Sequence, residues 1–318
     1  MPLWLTRARL LTALAVTAIA AGAACWLLVG PPWAALGAVG GPAVVVVALV
    51  WAVGTTHAHP AELLRDHEPY RALTQLQPVL ESLRYTSRRW PGVTSSADVL
   101  AHHLLIQAES LLALGRLAEA PGPAAEAVSI FRTLADRKPH RFTAALSRGL
   151  DRQARVLAAA GREADAVEVA REAARLYRNL DAAAPGKHLP ALAGSLTDQA
   201  QWLSDMRQDD EARQAVDEAV TICQDRLPRA DQPSCAAQAL LLQGRLRVGQ
   251  ARHREAAAPL ARGWQLAASR EQADLLPPAA ASLRAAYQAD EAAVRSAWRI
   301  ETGGDPPQWL TGFPQPPS

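Results

Sequence analysis

The sequence predicts an all-α protein: an array of helical repeats preceded by a two-helix transmembrane hairpin. Four triplets of small residues recur at nearly equal intervals between positions 98 and 266, and a leucine stands four residues before the first small residue of each triplet, which is a helical spacing. Two uncharged apolar runs stand near the N-terminus. Only 5% of the residues are aromatic, and valine clusters mainly near residue 45, so no segment is typical of a β-sheet.

Charge and cysteine content narrow the classes of function. The chain has 33 basic and 31 acidic residues, a balance that argues against a nucleic-acid partner. Cys25, Cys223 and Cys235 have neither metal-ligand spacing nor an even disulfide pattern, which indicates a reducing compartment. Because we recognise no nucleophile, phosphate-loop or metal-binding motif, we expect no enzyme and no cofactor or metal.

Residues 1–56 are predicted to form the transmembrane hairpin. The two apolar runs, at about 10–30 and 33–53, are each long enough to cross the hydrocarbon core as a helix. Gly30-Pro31-Pro32 separates them, and proline both lacks the backbone donor and disfavours helix in the residue before it. These residues therefore predict a tight turn between two antiparallel spans.

The basic residues predict the orientation of this hairpin. Arg7 and Arg9 precede the first span, Arg65 and Arg71 follow the second, and the turn has none. By the positive-inside rule we expect a multi-pass protein of the cytoplasmic membrane with both termini in the cytoplasm. The alternative is a secretory signal cleaved near Ala21-Gly22-Ala23.

Residues 97–275 are predicted to hold four repeats of two antiparallel helices. The triplets have gaps of 12 and 7 residues and recur at intervals of 46, 46 and 44. Ala or Gly at a helix crossing lets two helices approach closely. The triplets are Ala108, Ala120 and Ala127; Ala154, Ala166 and Ala173; Ala200, Ala212 and Ala219; and Gly244, Ala256 and Gly263.

The turn between the two helices of a repeat is expected at one equivalent position. Gly115 and Gly161 hold it in the first two repeats, where a left-handed residue ends the first helix. Arg207 and Ala251 hold it in the last two, so we expect less favourable turns there. Residues 57–96 are interpreted as a juxtamembrane helical segment and degenerate leading repeat.

With its leucines, small residues, turn glycines and acidic-Ala pairs in this order, the array resembles the tetratricopeptide repeat (TPR) family. The repeat is about 12 residues longer than the 34 of that family, and this long period resembles a type found in many actinobacterial proteins. The resemblance implies a right-handed α-solenoid that binds a protein or peptide in its concave groove and has no chemistry of its own.

The resemblance also implies which residues line the groove. The positions that match the groove of the family form a polar face on the first helix of each repeat. Arg148, Arg155 and Arg245 favour an acidic peptide or a terminal carboxylate as the ligand, and the alternative is a solvated helix face. Leu105 and Leu241 belong to the same face. Its polar members are His102, Glu109, Arg148, Asp151, Arg155, Thr197, Gln201, Ser204, Gln238 and Arg245.

A glutamine stands three residues after the first leucine of every repeat, where the TPR family usually has an apolar residue. These are Gln107, Gln153, Gln199 and Gln243. Either the amides hydrogen-bond from repeat to repeat, because a buried amide without a partner costs free energy, or they reach a bound peptide.

Residues 276–318 are predicted to form one capping helix, at about 279–299, and a Pro-rich tail. Trp309, Leu310 and Phe313 either fold back onto the cap or serve as a short recognition segment. The whole pattern predicts a membrane-anchored scaffold or adaptor whose cytoplasmic solenoid binds a protein or peptide. The alternative is a structural subunit of a larger membrane assembly, such as a secretion or envelope assembly, with the solenoid as a spacer.

Overall fold

The structure is a computed structural model, and it describes residues 68–89, 94–226, 235–270 and 272–311. The predicted spans lie outside these ranges. None of the helices within them has the length and apolarity that crossing a bilayer requires. By compactness the chain divides into Met1–Glu81 and Ser82–Ser318, and each part is described by itself.

Helices make up all the regular structure in the described ranges. A π-helical turn, Ile222–Arg226, extends α7, and a 3₁₀ turn, Ala273–Leu275, precedes α10. The helices are α1 (Pro69–Arg89), α2 (Thr94–Ala113), α3 (Pro121–Arg137), α4 (Pro139–Ala159), α5 (Glu163–Ala183), α6 (Leu189–Asp205), α7 (Asp209–Thr221), α8 (Cys235–Gly249), α9 (His253–Ser269), α10 (Leu276–Ala289), α11 (Glu291–Thr302) and α12 (Gln308–Thr311).

In Met1–Glu81 the described residues are Glu68 and the N-terminal part of α1. Ala72, Leu76 and Leu80 are its buried apolar side chains, and their spacing of four residues puts them on one face of the helix.

Helices α2 to α9 form four two-helix repeats, which we number 1 to 4. In each repeat the first helix packs against the return helix, and each return helix packs against the first helix of the next repeat. The ten alanines of the predicted triplets are all fully buried, and Gly244 and Gly263 are buried as well. The predicted close packing at these positions is therefore confirmed.

Repeat 4 needs glycine at two of these positions because its helices approach more closely than an alanine allows. A Cβ atom at Gly244 would lie 2.4 Å from Cγ of Leu260, and one at Gly263 would lie 2.9 Å from Cγ of Leu241. Both distances are shorter than van der Waals contact, so glycine permits the approach of α8 to α9.

The four turns share one backbone conformation. The N–H of the residue after the turn position donates to the carbonyl five residues earlier, as from Arg252 to Arg247 at 2.8 Å, which is the Schellman pattern. Arg207 and Ala251 therefore adopt a conformation that costs free energy for any residue with a Cβ. The φ angles are 72° at Gly115, 75° at Gly161, 62° at Arg207 and 58° at Ala251.

The predicted single capping helix was wrong, because the chain forms two helices there, α10 and α11. Asp290 separates them with an extended φ of −147°, and its carboxylate accepts a hydrogen bond from the N–H of Ala293 at 2.9 Å. An aspartate in this position caps a new helix instead of continuing the old one. Leu283 and Val294 are fully buried, as expected of a cap.

The segment after α11 folds back onto the cap. The ring of Trp309 lies 4.7 Å from that of Trp264 on α9 and 6.3 Å from that of Trp298 on α11, measured between centroids. Leu310 is buried. The fold-back interpretation is confirmed for these two residues, and Phe313 lies outside the described ranges.

Candidate partner-binding face

We call the surface formed by α2, α4, α6 and α8 the first-helix face, and the surface formed by α3, α5, α7 and α9 the return-helix face. The predicted groove residues lie on the first helices. They are His102 and Glu109 on α2; Arg148, Asp151 and Arg155 on α4; Thr197, Gln201 and Ser204 on α6; and Gln238 and Arg245 on α8.

Ion pairs join the first helices of consecutive repeats. Arg152 Nε lies 3.3 Å from Oε1 of Glu109 on the preceding first helix. Arg155 Nε donates to Oδ2 of Asp198 on the following one at 2.7 Å. Of the predicted ligand-binding arginines, Arg155 is thus already neutralised, while Arg148 is exposed and has no ion pair within the described residues.

Asp151 lies at the junction of repeats 2 and 3 and is mostly buried. Its Oδ2 accepts a hydrogen bond from the hydroxyl of Tyr177 at 2.6 Å. Burial raises the pKa of Asp151 to about 6, although this bond favours the carboxylate. Burial, and then the charge of Asp151, also raise the pKa of Tyr177. Asp151 is therefore a junction carboxylate that protonates readily.

Three further predicted residues are engaged locally. His102 packs edge-on against Phe131 of α3, with 5.1 Å between ring centroids, and its Nδ1 lies 2.9 Å from the carbonyl oxygen of Asp98. The buried hydroxyl of Thr197 donates to the carbonyl of Ala193 at 2.8 Å. The carbonyl of Ser204 accepts from the N–H of Arg207 in the turn.

A pocket of about 180 Å³ brings four of the predicted polar residues together, and we call it the groove pocket. At its rim, Arg245 Nη2 donates to Oε1 of Gln201 at 2.5 Å. The lining is mainly apolar and includes the start of the cap, which the sequence analysis did not connect with the groove. The pocket is lined by Thr197, Asp198, Gln201, Gln238, Leu241, Leu242, Arg245, Leu275, Pro278, Ala279 and Ser282.

The glutamine column does not form an amide ladder, since no hydrogen bond in the described ranges joins two of its members. Gln243 is buried, and its Nε2 donates to Oδ1 of Asp217 on α7 at 2.6 Å, which links repeats 4 and 3. The buried Oε1 of Gln107 has no hydrogen-bond partner among the described residues. Gln199 and Gln243 line clefts among the return helices, so these two do not reach the first-helix face.

The sequence analysis missed a ladder of ion pairs on the return-helix side. In each pair the arginine lies on one helix and the glutamate lies on the next return helix. The regular spacing of Glu126, Glu172 and Glu218, which are 46 residues apart, could have predicted these pairs. The pairs are Arg84 with Glu126 at 2.6 Å, Arg132 with Glu172 at 2.5 Å and Arg178 with Glu218 at 2.8 Å.

The ladder stops between repeats 3 and 4. Gln224 takes the place of the arginine, and Arg262 takes the place of the glutamate. Both line a polar cleft of about 400 Å³ between α7 and α9. Within the described ranges, no group of His, Cys, Asp and Glu has an arrangement that could hold a metal ion.

No protein-family model matches this sequence, and no curated protein matches it significantly. Solved structures do match. The crystal structure of BtubC (BKLC) from P. vanneervenii is 17% identical, covers 79% of this chain and 95% of its own, and superposes with a TM-score of 0.54. The fold is therefore a TPR-like helical repeat, which confirms that part of the predicted fold class.

Two crystal structures of a putative kinesin light chain of Podosopora anserina, with nearly identical TPR-like repeats, also match at 20% identity. One of them, a point variant, covers 68% of this chain and 99% of its own with a TM-score of 0.47. The other covers 67% and 99% with a TM-score of 0.45.

Proposed function

We propose that this protein is a membrane-anchored TPR-like scaffold that binds a protein or peptide partner on its first-helix face. The observation that carries the proposal is the groove pocket, where predicted groove residues of two repeats meet an apolar lining at the start of the cap. Ligand sites are concave and mainly apolar with a few polar groups, and the groove pocket has this character.

The proposal includes neither catalysis nor a cofactor. The polar side chains of the first-helix face support a binding role, because several of them already hold internal partners. Glu109 faces Arg152, Arg155 pairs with Asp198, and Thr197 bonds its own helix. A partner therefore meets a preformed surface of fixed side chains.

Membrane attachment in this proposal rests on the apolar runs at about 10–30 and 33–53 and on the arginines that flank them. The 46-residue period supports the assignment to the long-period, actinobacterial type of repeat. A reporter fused after Ser318 tests the topology. We expect green fluorescence from a fluorescent-protein fusion and no activity from a fusion to alkaline phosphatase, and the reverse result contradicts cytoplasmic termini.

The second candidate is a structural subunit of a larger membrane assembly, with the repeats as a spacer. The ladder on the return-helix side favours it, because ion pairs between successive repeats hold their spacing. These pairs are half-exposed, so each contributes little to stability.

Position-specific cross-linking in intact cells separates the two candidates. A photoreactive amino acid replaces Gln238, exposed on the first-helix face, or Gln214, on the return-helix face, in the full chain. The scaffold predicts a partner adduct from position 238 and none from position 214. Adducts only from position 214 favour the spacer and contradict the scaffold.

A further inference from the structure

We propose that the groove pocket binds a partner peptide through one large apolar side chain and one adjacent carboxylate, with Arg245 as the recognition residue for the carboxylate. This inference rests on the proposed function and names the chemistry of its ligand. It follows from the register of the repeats, from the charges around the pocket and from its lining.

Within the part of the chain that the structure describes, Arg245 has no carboxylate partner, whereas the arginine at the equivalent position of repeat 2 has one. Arg155 and Arg245 occupy the same position in repeats 2 and 4. Arg155 pairs with Asp198, which the next first helix supplies at 2.7 Å. The element after repeat 4 is the cap, and the residues with which the cap lines the pocket, among them Pro278 and Ser282, include no acid.

Arg245 instead donates a hydrogen bond to the neutral amide oxygen of Gln201, which lies on the preceding first helix. The carboxylate of Asp198 also lines the pocket, but Arg155 already holds it. A guanidinium has five N–H donors in a planar fork, so the bond to Gln201 leaves donors for a carboxylate bound in the bidentate way. A carboxylate from the ligand supplies the charge that a further repeat would have supplied.

The remaining lining accommodates an apolar side chain. Leu241, Leu242, Leu275, Pro278 and Ala279 form most of it. A volume of about 180 Å³ corresponds to the share of roughly six water molecules, which is the space of one large aliphatic or aromatic side chain. Gln238 is exposed at the rim and can bond the backbone of an extended peptide.

The other clefts fit this ligand less well. The cleft of about 490 Å³ between α5 and α7 has three arginines, Arg171, Arg175 and Arg178, but three glutamates line it too. The cleft beside Arg262 combines Arg247 with Asp217 and Glu301. The linings of both clefts are more polar than that of the groove pocket, so they offer less apolar surface to a large side chain.

The experiment selects a random dodecapeptide phage library on the full chain in lipid nanodiscs. We expect the enriched peptides to share a large apolar residue with an Asp, a Glu or a free C-terminus within two residues. Arg245→Ala should weaken binding of the selected synthetic peptide at least tenfold. Ser282→Phe, which fills the pocket from a half-exposed position, should do the same.

Two matched variants control for changes of charge and bulk. Arg254→Ala removes an exposed arginine of α9, and Ser296→Phe adds a ring at an exposed position of α11, both outside the pocket. We expect each to bind within twofold of the unmodified chain. Replacing the peptide carboxylate by an amide should weaken binding tenfold to the unmodified chain but leave binding to Arg245→Ala unchanged.

The outcomes separate this inference from the proposed function. Peptides that bind Arg245→Ala and Ser282→Phe at full strength overturn the pocket assignment and leave peptide binding intact. Enriched peptides without an acidic group overturn the role of Arg245. If no peptide is enriched while position 238 cross-links a partner, the pocket inference fails alone. If position 238 gives no adduct either, the scaffold function fails with it.

Discussion

Repeats 2 and 4 have the same register, but only repeat 2 has a repeat of its own kind on both sides. Repeat 2 has Ala154 at a helix crossing where repeat 4 requires Gly244. Repeat 2 turns at Gly161, whereas repeat 4 turns at Ala251 with a left-handed φ of 58°. The terminal repeat thus combines tighter helix packing with a more strained turn.

The polar positions differ in the same way. Arg155 of repeat 2 is neutralised by Asp198 of the next first helix, while none of the described cap residues that line the pocket beside Arg245 of repeat 4 is acidic. In a repeat array each unit contacts only its neighbours, so a change of neighbour changes the environment of an otherwise equivalent residue. At this position of the repeat, the last repeat rather than repeat 2 therefore offers an uncompensated charge to a ligand.

The largest effect is expected at the junction carboxylate of repeat 2, whose place in repeat 4 is taken by Leu241. The pKa of Asp151 is about 6 in the folded state, above its ordinary 3.8. The folded state therefore holds this proton more tightly, and the resulting stabilisation is full below pH 4 and is lost as the pH rises to 6. A difference of about 2 pKa units corresponds to about 3 kcal/mol.

Asp151→Asn should remove this step from the pH dependence of the unfolding free energy. Urea unfolding of the full chain in detergent between pH 4 and pH 7 measures it. Asp136→Asn, at an exposed carboxylate of α3 without an ion pair in the described structure, is the control and should keep the step. An undiminished step in Asp151→Asn would assign the pH dependence to other groups.

The second effect concerns the tighter packing of repeat 4. Gly244→Ala should destabilise the protein by about 2 kcal/mol, because the new Cβ would overlap Leu260. Gly249→Ala, whose Cβ would meet no atom outside its own helix within 4 Å, should leave the melting temperature unchanged or raise it slightly. Equal melting temperatures for both variants would show that α8 and α9 separate easily.

The smallest effect concerns the turns, and here repeat 4 should gain stability. Ala251→Gly should stabilise the protein by about 1 kcal/mol, because glycine adopts a positive φ without the Cβ clash. Ala258→Gly, at an exposed position within α9, should instead destabilise it by a similar amount. Thermal unfolding compares the two, and a loss of stability in Ala251→Gly would contradict the assigned strain.

The sequence predicts the repeating part of the fold well, because helix crossings and turns impose the same demand on every repeat. The triplets of small residues predicted where the helices cross in the buried interior. The alignment of Ala251 with Gly161 predicted the positions of the left-handed turns. The break in the cap escaped prediction, since Asp290 lies in an apolar helical pattern where its N-cap role depends on the geometry of the chain around it.

Much less of the candidate site could be predicted, because it depends on contacts that do not repeat. The bond from Gln243 to Asp217 joins residues 26 positions apart on different repeats, and its equivalents in other repeats lack the acid. Likewise, Pro278 and Ser282 line the groove pocket because the first helix of the cap packs against α8. The repeat period of the sequence does not predict this contact.

The packing of Trp264, Trp298 and Trp309 gives the C-terminal end of the array its own optical signature. Their ring centroids lie 4.7 to 6.3 Å apart, close enough for the indoles to exchange excitation energy. Residues 94–183, which form repeats 1 and 2, contain no tryptophan. Loss of the near-ultraviolet circular dichroism of these packed indoles before the loss of helical circular dichroism would therefore indicate that this array opens from its cap.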